Sequence, residues 1–363
     1  MTENLMPSAN NTISKTQLAR LTALTLIFSY AELLIPRIIP FFRLGLGNTV
    51  ILMSFNLPFP YFILLTLLKS ICSSLLQGTL LSPFFLISLC QGISSSLLMW
   101  VLFKLNQLLK NKFFSLAGIS LLGSALSAVV QIAFSSIYLG QGIFYLLGPM
   151  LLFNTASGII TALLALYIQN EYSKKTGGGC LPLGSTASAS LSSASAFSPT
   201  PSSGETPRNA PEEPFYRKTF VLQYIFIGLL LIASVSLFFI KNIYVLSACL
   251  LMSFIAQKLC KRKILLLPHL SLWLFAILSQ LFIPSGKVLF SILGFNITQD
   301  ALLIGLQKAI RLSAVSALSQ CAVCIKTRPG SLITLSIEYY RTMTNTFRST
   351  EGSVLAKLRA VII

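Results

Sequence analysis

The sequence predicts an all-α membrane protein with about ten transmembrane helices in two bundles, one of six helices and one of about four. Of the 363 residues, 54% are hydrophobic and only 10% are charged, whereas soluble domains carry about 25% charged residues. The apolar residues fall into runs close to the roughly 20 residues that cross a bilayer as a helix. A Ser-, Ala-, Pro- and Gly-rich tract interrupts these runs near the middle of the chain and separates the two bundles.

The first half contains six apolar segments that predict membrane helices, preceded by a polar N-terminal tail at residues 1–17. The second segment is too short to cross a bilayer in the ordinary way, and its glycines and asparagine predict a broken or re-entrant element beside a cavity. Together the segments form a predicted domain at residues 18–170. They are residues 18–35, 46–55, 59–76, 83–103, 114–138 and 143–168.

The composition then changes, and residues 171–217 are predicted to form a disordered linker. A second membrane domain follows at residues 218–326, in which residues 288–295 are a short apolar piece that is predicted to enter the membrane without crossing it. Residues 327–363 alternate basic and apolar side chains, which predicts helices at the membrane face or against a partner. The predicted spans of the second domain are residues 220–240, 243–259, 265–283 and 301–325.

The charge pattern predicts the orientation of the chain. Lys and Arg number 27 against 9 Asp and Glu, a net charge of +18. Because the basic residues flank apolar runs, they indicate cytoplasmic loops under the positive-inside rule rather than a nucleic-acid surface. We therefore expect a bacterial cytoplasmic (inner) membrane protein with both termini in the cytoplasm and no nucleic-acid partner.

The small number of acidic residues excludes several kinds of chemistry. The chain has one Asp, Asp300, and one His, His269, so it lacks the clustered carboxylates that hold Mg²⁺ in usual prenyl-diphosphate synthases. It also lacks the G-x-x-x-x-G-K-[ST] motif that cradles nucleotide phosphates. We expect no catalytic residues, no metal and no cofactor, and any energy must come from a partner or a gradient.

A candidate binding site lies at the predicted outer end of the first span. Arg43 adjoins a glycine-rich stretch there, and guanidinium groups suit anionic or carboxylate-bearing ligands, although anchoring to lipid phosphates is the alternative. Lys69 lies inside an apolar run where a charge against lipid is costly, so it meets a ligand or pairs with Glu32, the single acidic residue of the six spans. The candidate substrate-binding residues are Arg43, Gly45, Gly47, Asn48, Lys69, Gln77, Gln131 and Asn154.

Four ordered motifs carry a resemblance over residues 18–170. They are Arg43-Leu-Gly-Leu-Gly-Asn48, the Leu68-Lys69-Ser70…Leu76-Gln77-Gly78 segment, Gly118-Ile-Ser120…Gly123-Ser-Ala125…Gln131, and Ile143-Phe-Tyr-Leu-Leu-Gly-Pro149 followed by Ser157-Gly158. The domain resembles the Gx transporter family, also described as heptaprenyl diphosphate synthase component I. The resemblance implies a six-span plan similar to the substrate-binding S component of energy-coupling factor transporters.

Three positions depart from this family pattern. Lys69 stands where the family usually has Arg, Asn48 follows Gly47 rather than Ala, and Ser127-Ala128 replaces a usual His-Asn pair. The family's substrate is therefore not carried over to this chain.

The second half is similar to the T component of the same transporters, through Asp300-Ala-Leu-Leu-Ile-Gly305, Ala309-Ile-Arg311-Leu and the basic tail. That resemblance implies cytoplasmic helices whose arginines dock onto a pair of ABC-type ATPases. Arg341 and Arg348 are the positions carried over. Arg311 is a third coupling candidate, with an ion pair to Asp300 or Glu338 as the alternative.

Three functions are compatible with these observations. The leading hypothesis is the membrane component of an energy-coupled uptake system for a small, anionic or vitamin-like molecule, without enzymatic activity of its own. The second is a membrane subunit or scaffold associated with isoprenoid (heptaprenyl diphosphate) synthesis. The third is a secondary transporter that works alone and uses Glu32 as its titratable group.

Overall fold

The computed structural model describes residues 14–33, 45–110, 113–175, 214–260, 264, 266–282, 286–292, 295–322, 330–351 and 357. These residues are mainly helical, in agreement with the all-α prediction. The helices are α1 (Lys15–Leu33), α2 (Asn48–Met53), α3 (Phe59–Gln77), α4 (Pro83–Leu108), α5 (Leu116–Leu139), α6 (Leu147–Lys175), α7 (Pro214–Phe239), α8 (Ile243–Leu259), α9 (Leu266–Leu281), α10 (Gln299–Cys321) and α11 (Leu332–Ser349). A 3₁₀ turn occupies Gln141–Leu146, and two antiparallel strands, β1 (Val288–Ile292) and β2 (Phe295–Thr298), precede α10.

Prolines, glycines and capping serines set the helix boundaries. Helix α3 follows Pro58, and it ends at Gly78, whose φ of +71° favours glycine over other residues. Helix α5 begins after Ser115, whose Oγ accepts a hydrogen bond from the Gly118 N–H at 3.1 Å. These local signals explain why the predicted ends of several spans agree with the structure to within a few residues.

The outer surface has the character of a membrane protein. Five helical segments are long and apolar enough to cross a bilayer: α3, α4, α5, the 3₁₀ turn with α6, and α10. Large apolar side chains also cover the outward faces, with Ile137, Leu152 and Leu163 between 60% and 74% exposed. Such a continuous apolar surface needs lipid or protein around it. The chain is therefore an all-α membrane protein.

Several predicted boundaries differ from the structure. Helix α6 continues to Lys175 and α7 begins at Pro214, so both ends of the predicted linker are helical, and its remainder at residues 176–213 lies outside the described residues. The apolar piece predicted to enter the membrane forms the β1–β2 pair, in which strand residues satisfy their backbone groups across the pair. The second predicted span contains the six-residue helix α2, which rises only about 9 Å.

The two halves of the chain pack directly against each other. Residues of α5 and the 3₁₀ turn, including Ile132 and Ile143, share an apolar cluster with Phe275 of α9 and Leu312 of α10. Polar bonds cross the same boundary, because the Leu81 N–H donates to Ser319 Oγ at 2.9 Å. The two predicted bundles therefore share a core within the described residues.

We expect the two halves to stay together after the chain is cut between them. A protease site inserted at residues 176–213 and cleaved after purification should leave both fragments in one peak on size-exclusion chromatography, because the shared cluster holds them. Exchange of Phe275 for Asp would bury a carboxylate in that cluster and should separate the fragments. Separation of the fragments without that substitution would contradict the packing.

Helices α5 and α6 approach closely at Gly158. A Cβ atom at this position would lie 2.3 Å from Ser124 Oγ and 3.1 Å from the Ser120 backbone oxygen. Ser120 Oγ in turn donates a 2.7 Å hydrogen bond to the Gly158 carbonyl. This glycine therefore permits the small-residue contact that membrane helices use to pack.

The Gly158→Ala variant is expected to unfold more readily than the wild type. The added methyl group overpacks the contact, which typically costs about 1–3 kcal/mol, and thermal unfolding in detergent measures the change. Gly148→Ala is the matched control in the same helix, because nothing lies within 4 Å of its added Cβ. Equal Tm values for the two variants would show that the α5–α6 contact is not close at Gly158.

Candidate functional site

A polar cavity lies inside the apolar first half, at a place where the ends of several helices come together. The last turn of α1 and the second half of α3 approach the start of α2 and the first half of α4, and Ser127 of α5 completes the wall. The cavity contains about 580 Å³ of empty space, including its open mouth. Its lining residues are Ser29, Glu32, Gly47, Asn48, Lys69, Ser70, Ser73, Gln77, Ser88, Gln91, Gly92, Ser95 and Ser127.

This arrangement fixes the relative directions of the helices. Because α1 and α3 both end at the cavity whereas α4 begins there, α1 and α3 run in one direction and α4 runs back. Helix α2 and the turn after it must therefore return the chain to the far end before α3 starts. The short second segment thus serves as the broken element beside a cavity that the sequence predicts.

Lys69 is held at the cavity wall by the start of α2. Its Nζ donates a hydrogen bond to Asn48 Oδ1, and the side chain is half-buried. A Cβ at position 47 would lie 3.0 Å from Lys69 Cε and 2.6 Å from Ser29 Oγ, so glycine is needed for α1, α2 and Lys69 to come together. The ammonium group faces the cavity, as the sequence predicts for a charge within an apolar run.

Glu32 faces the same cavity from α1. It is only 7% exposed, and its Oε2 accepts a 3.1 Å hydrogen bond from the Gly45 N–H. Its Oε1 is buried and has no hydrogen-bond partner. Glu32 and Lys69 are thus both bonded to residues of the 45–48 turn.

Neutral polar groups complete the wall. Gln77 Nε2 donates to Ser73 Oγ at 2.9 Å, and Gln91 Nε2 donates to Ser127 Oγ at 2.6 Å. Neither Gln91 nor any of these serines is among the binding residues predicted from the sequence. The signal that would have identified them is helical spacing: Ser88, Gln91, Gly92 and Ser95 occupy one face of α4.

The other predicted binding residues lie elsewhere. Gln131 of α5 and Asn154 of α6 are buried, at 2% and 4% exposure, but neither belongs to the cavity lining. Gly45 takes part through its backbone N–H, with a φ of +69° that favours glycine. Arg43 lies outside the described residues.

Two cations of α10 bind helix ends inside the protein. Lys308 Nζ donates to the Leu139 carbonyl at 2.7 Å and to Gln280 Oε1 at 3.1 Å. Arg311 Nη2 donates to the Ile240 carbonyl, just beyond α7, at 2.7 Å. Positive charge is favourable at the carboxyl ends of helices. The bond to Ile240 gives Arg311 an intramolecular role that sequence analysis did not predict.

The basic tail helix α11 packs along α1 of the first half. The Arg20 guanidinium lies 5.3 Å from the ring centroid of Tyr339. Near the other end, Tyr30 contacts the buried ring of Phe347, with centroids 6.4 Å apart, and its hydroxyl accepts a 3.0 Å bond from Arg348 Nη2. The two helices therefore run in the same direction, and α11 ends next to the turn of α1 that carries Glu32.

Side chains on α11 differ in their burial and in their contacts with α1. Burial raises the pKa of Tyr340, and the neighbouring Tyr30 adds to that effect. Both arginines predicted to couple to ATPases, Arg341 and Arg348, are exposed within the described residues, and Arg348 is the one bonded to Tyr30.

The chemistry of the described residues is that of binding. Within those ranges no group of three or more His, Cys, Asp or Glu side chains is placed to hold a metal ion. The cavity instead combines one ammonium, one carboxylate, amides and hydroxyls inside an apolar bundle. Fold and site together define a membrane protein with an internal polar cavity.

Comparison with known families assigns the first half. Residues 21–168 match the family model described as heptaprenyl diphosphate synthase component I, so the predicted resemblance of this domain to that family is confirmed. Residues 222–324 match a domain of unknown function (DUF8519), and the similarity of this half to a T component stays a prediction. No curated protein and no solved structure matches the chain significantly.

Proposed function

We propose that this protein is the membrane component of an uptake transporter for a small molecule. The first half binds the substrate in its polar cavity, and the second half with α11 connects that cavity to separate ABC-type ATPases. The protein itself is not an enzyme in this proposal. It lies in the bacterial cytoplasmic membrane with its N-terminus inside, so that the cavity at the far end of α1 opens outward.

The observation that carries the proposal is the enclosed pair of charges. Charged side chains are costly at membrane depth and usually mark a substrate or ion pathway. Here Lys69 and Glu32 both face one cavity that also contains amides and hydroxyls.

The position of α11 supports a link between the cavity and a partner. This helix contacts α1 through Tyr30, two residues before Glu32, so movement of α11 is transmitted to the cavity wall. Its opposite face carries exposed Glu338, Arg341 and Asn345. That polar face is available for a soluble partner.

Affinity purification from native membranes, followed by mass spectrometry, tests the proposal. We expect a stoichiometric ABC-type ATPase with the wild type and its loss in Arg341→Glu, because the exposed arginine is reversed in charge without disturbing packing. Lys258→Glu, at an exposed lysine near the end of α8, is the control. Wild-type membranes that yield no ATPase would overturn the coupled mechanism.

The family description favours a second candidate. A component I subunit implies association with another component of heptaprenyl diphosphate synthesis, and the membrane protein would then act as a scaffold. A soluble prenyl synthase in the same purification, without an ATPase, would replace the uptake proposal with this one.

Glu32 favours a third candidate, a secondary transporter. A carboxylate that is more than nine-tenths buried in the cavity is placed to carry a proton. Proton-driven uptake by the purified protein in liposomes without ATPases, abolished in Glu32→Gln, would establish this mechanism.

A further inference from the structure

We propose that the cavity binds a small zwitterion, a molecule in which a cationic group and a carboxylate lie a few bonds apart, as in a free amino acid. This inference rests on the proposed function, since it names the substrate class of the same cavity. It differs from the anionic or vitamin-like ligand that the sequence analysis expects from the region around Arg43.

The carboxylate of the ligand is assigned to Lys69. The Lys69 ammonium carries a positive charge at the cavity wall, where Asn48 Oδ1 accepts a hydrogen bond from it. The cavity wall next to Lys69 adds neutral donors, because Ser70 and Ser73 lie on the same part of α3. Together they provide one positive charge and several hydroxyl donors for an anionic group.

The cationic group is assigned to Glu32. One carboxylate oxygen, Oε2, accepts a hydrogen bond from the Gly45 N–H, whereas Oε1 is buried and has no hydrogen-bond partner among the described residues; Glu32 itself belongs to the cavity lining. A buried acceptor without a partner is costly in a folded protein. An ammonium or guanidinium group of a ligand would satisfy it.

The charge balance of the lining favours a ligand with both charges. Among the described residues that line the cavity, Glu32 and Lys69 carry charge, and the others are Ser, Gln, Asn and Gly. A simple anion bound near Lys69 would also face the carboxylate of Glu32, and a simple cation would face the ammonium of Lys69. A zwitterion meets an opposite charge at each end.

The turn at residues 45–48 sets the distance between the charges. Gly45 N–H binds Glu32 and Asn48 Oδ1 binds Lys69, and the turn is closed by a 2.7 Å hydrogen bond from the Asn48 N–H to the Gly45 carbonyl. The ends of such a turn lie less than about 7 Å apart. Both charged groups are thus hydrogen-bonded to the same short turn, which favours a short zwitterion over a long one.

Thermal unfolding of the full chain in detergent, with three matched sets of probes, tests the proposal. The sets are the common amino acids with β-alanine and γ-aminobutyrate, their N-acetyl derivatives, which lack the cation, and their methyl esters, which lack the anion. We expect at least one free compound to raise Tm saturably by about 3 °C or more, with neither of its derivatives doing so at the same concentration.

Two variants assign the charges. In Glu32→Gln the preference for the free compound over its N-acetyl derivative should fall at least tenfold, and in Lys69→Met the preference over the methyl ester should fall similarly. Glu338→Gln and Lys258→Met, which remove exposed charges away from the cavity, should retain wild-type preferences. Size-exclusion profiles establish that each variant is folded.

Binding of N-acetyl derivatives as well as free compounds, or the absence of any Tm change across all three sets, would overturn the zwitterion assignment. These outcomes differ from failure of the proposed function. Zwitterion binding without an associated ATPase would remove coupled uptake and leave the site, whereas an associated ATPase without zwitterion binding would remove only the substrate class.

Discussion

Lys69→Met is expected to abolish ligand binding and uptake while the protein remains folded. The substitution removes the one ammonium group in the cavity lining and leaves the carboxylate of Glu32 without a nearby positive charge. Loss of one member of a buried, hydrogen-bonded charge interaction costs about 2–5 kcal/mol, which corresponds to an affinity loss of about 30-fold to several thousand-fold. Mass spectrometry of the small molecules released from purified protein measures this directly, because wild type should retain a compound that the variant lacks.

Lys69→Arg provides the matched comparison. The related family usually has arginine at this position, so the cavity should accept a guanidinium and keep at least a tenth of wild-type binding. Lys258→Met removes an exposed lysine and should bind as wild type does. If Lys69→Met released the same compound in the same amount as the wild type, the cavity would not be the binding site.

Hydropathy and local signals were enough to predict most helices of this protein. Residues 59–76 were predicted as a span and α3 is Phe59–Gln77, since prolines start the helix and Gly78 ends it. The cost of a charge in an apolar run was enough to place Lys69 at a cavity. Gly47 and Asn48 were predicted to lie beside a cavity for a different reason. Their segment is too short to cross a bilayer as a regular helix.

Contacts between distant parts of the chain could not be predicted in this way. Arg348 binds Tyr30 across 318 positions, and Lys308 binds the Leu139 carbonyl across 169. Apolar periodicity says which face of a helix is buried but not which helix covers it. The partner of the amphipathic tail was therefore left open between the membrane face and another protein, whereas the structure places α1 of the same chain against it.

The hydrogen bonding of Glu32 is a second feature that the sequence could not predict. As the single acidic residue of the first six predicted spans, it was assigned either to a pair with Lys69 or to proton transfer. The structure bonds it to the Gly45 N–H and leaves one oxygen unsatisfied. That distinction depends on the geometry of the 45–48 turn, which no residue pattern encodes.

Phe347→Ala is expected to release α11 from α1 and to uncouple transport from ATP hydrolysis. The ring is 3% exposed and lies in the core cluster around α1, and truncation of a buried Phe typically costs about 3–5 kcal/mol. If opening is confined to α11, its hydrogen–deuterium exchange protection should fall on the order of 10²-fold. Ligand-induced Tm changes should persist, because no residue of α11 lines the cavity.

Lys258→Met is the control for this experiment, since Lys258 is exposed on α8, and neither exchange at residues 332–349 nor transport should change. Unaltered exchange at residues 332–349 in Phe347→Ala would mean that α11 is held by contacts other than this ring. Loss of ligand binding together with the tail contact would instead show that α11 supports the fold of α1. Retained binding with lost uptake is the result that a coupling helix requires, because it separates recognition of the substrate from the energy that moves it.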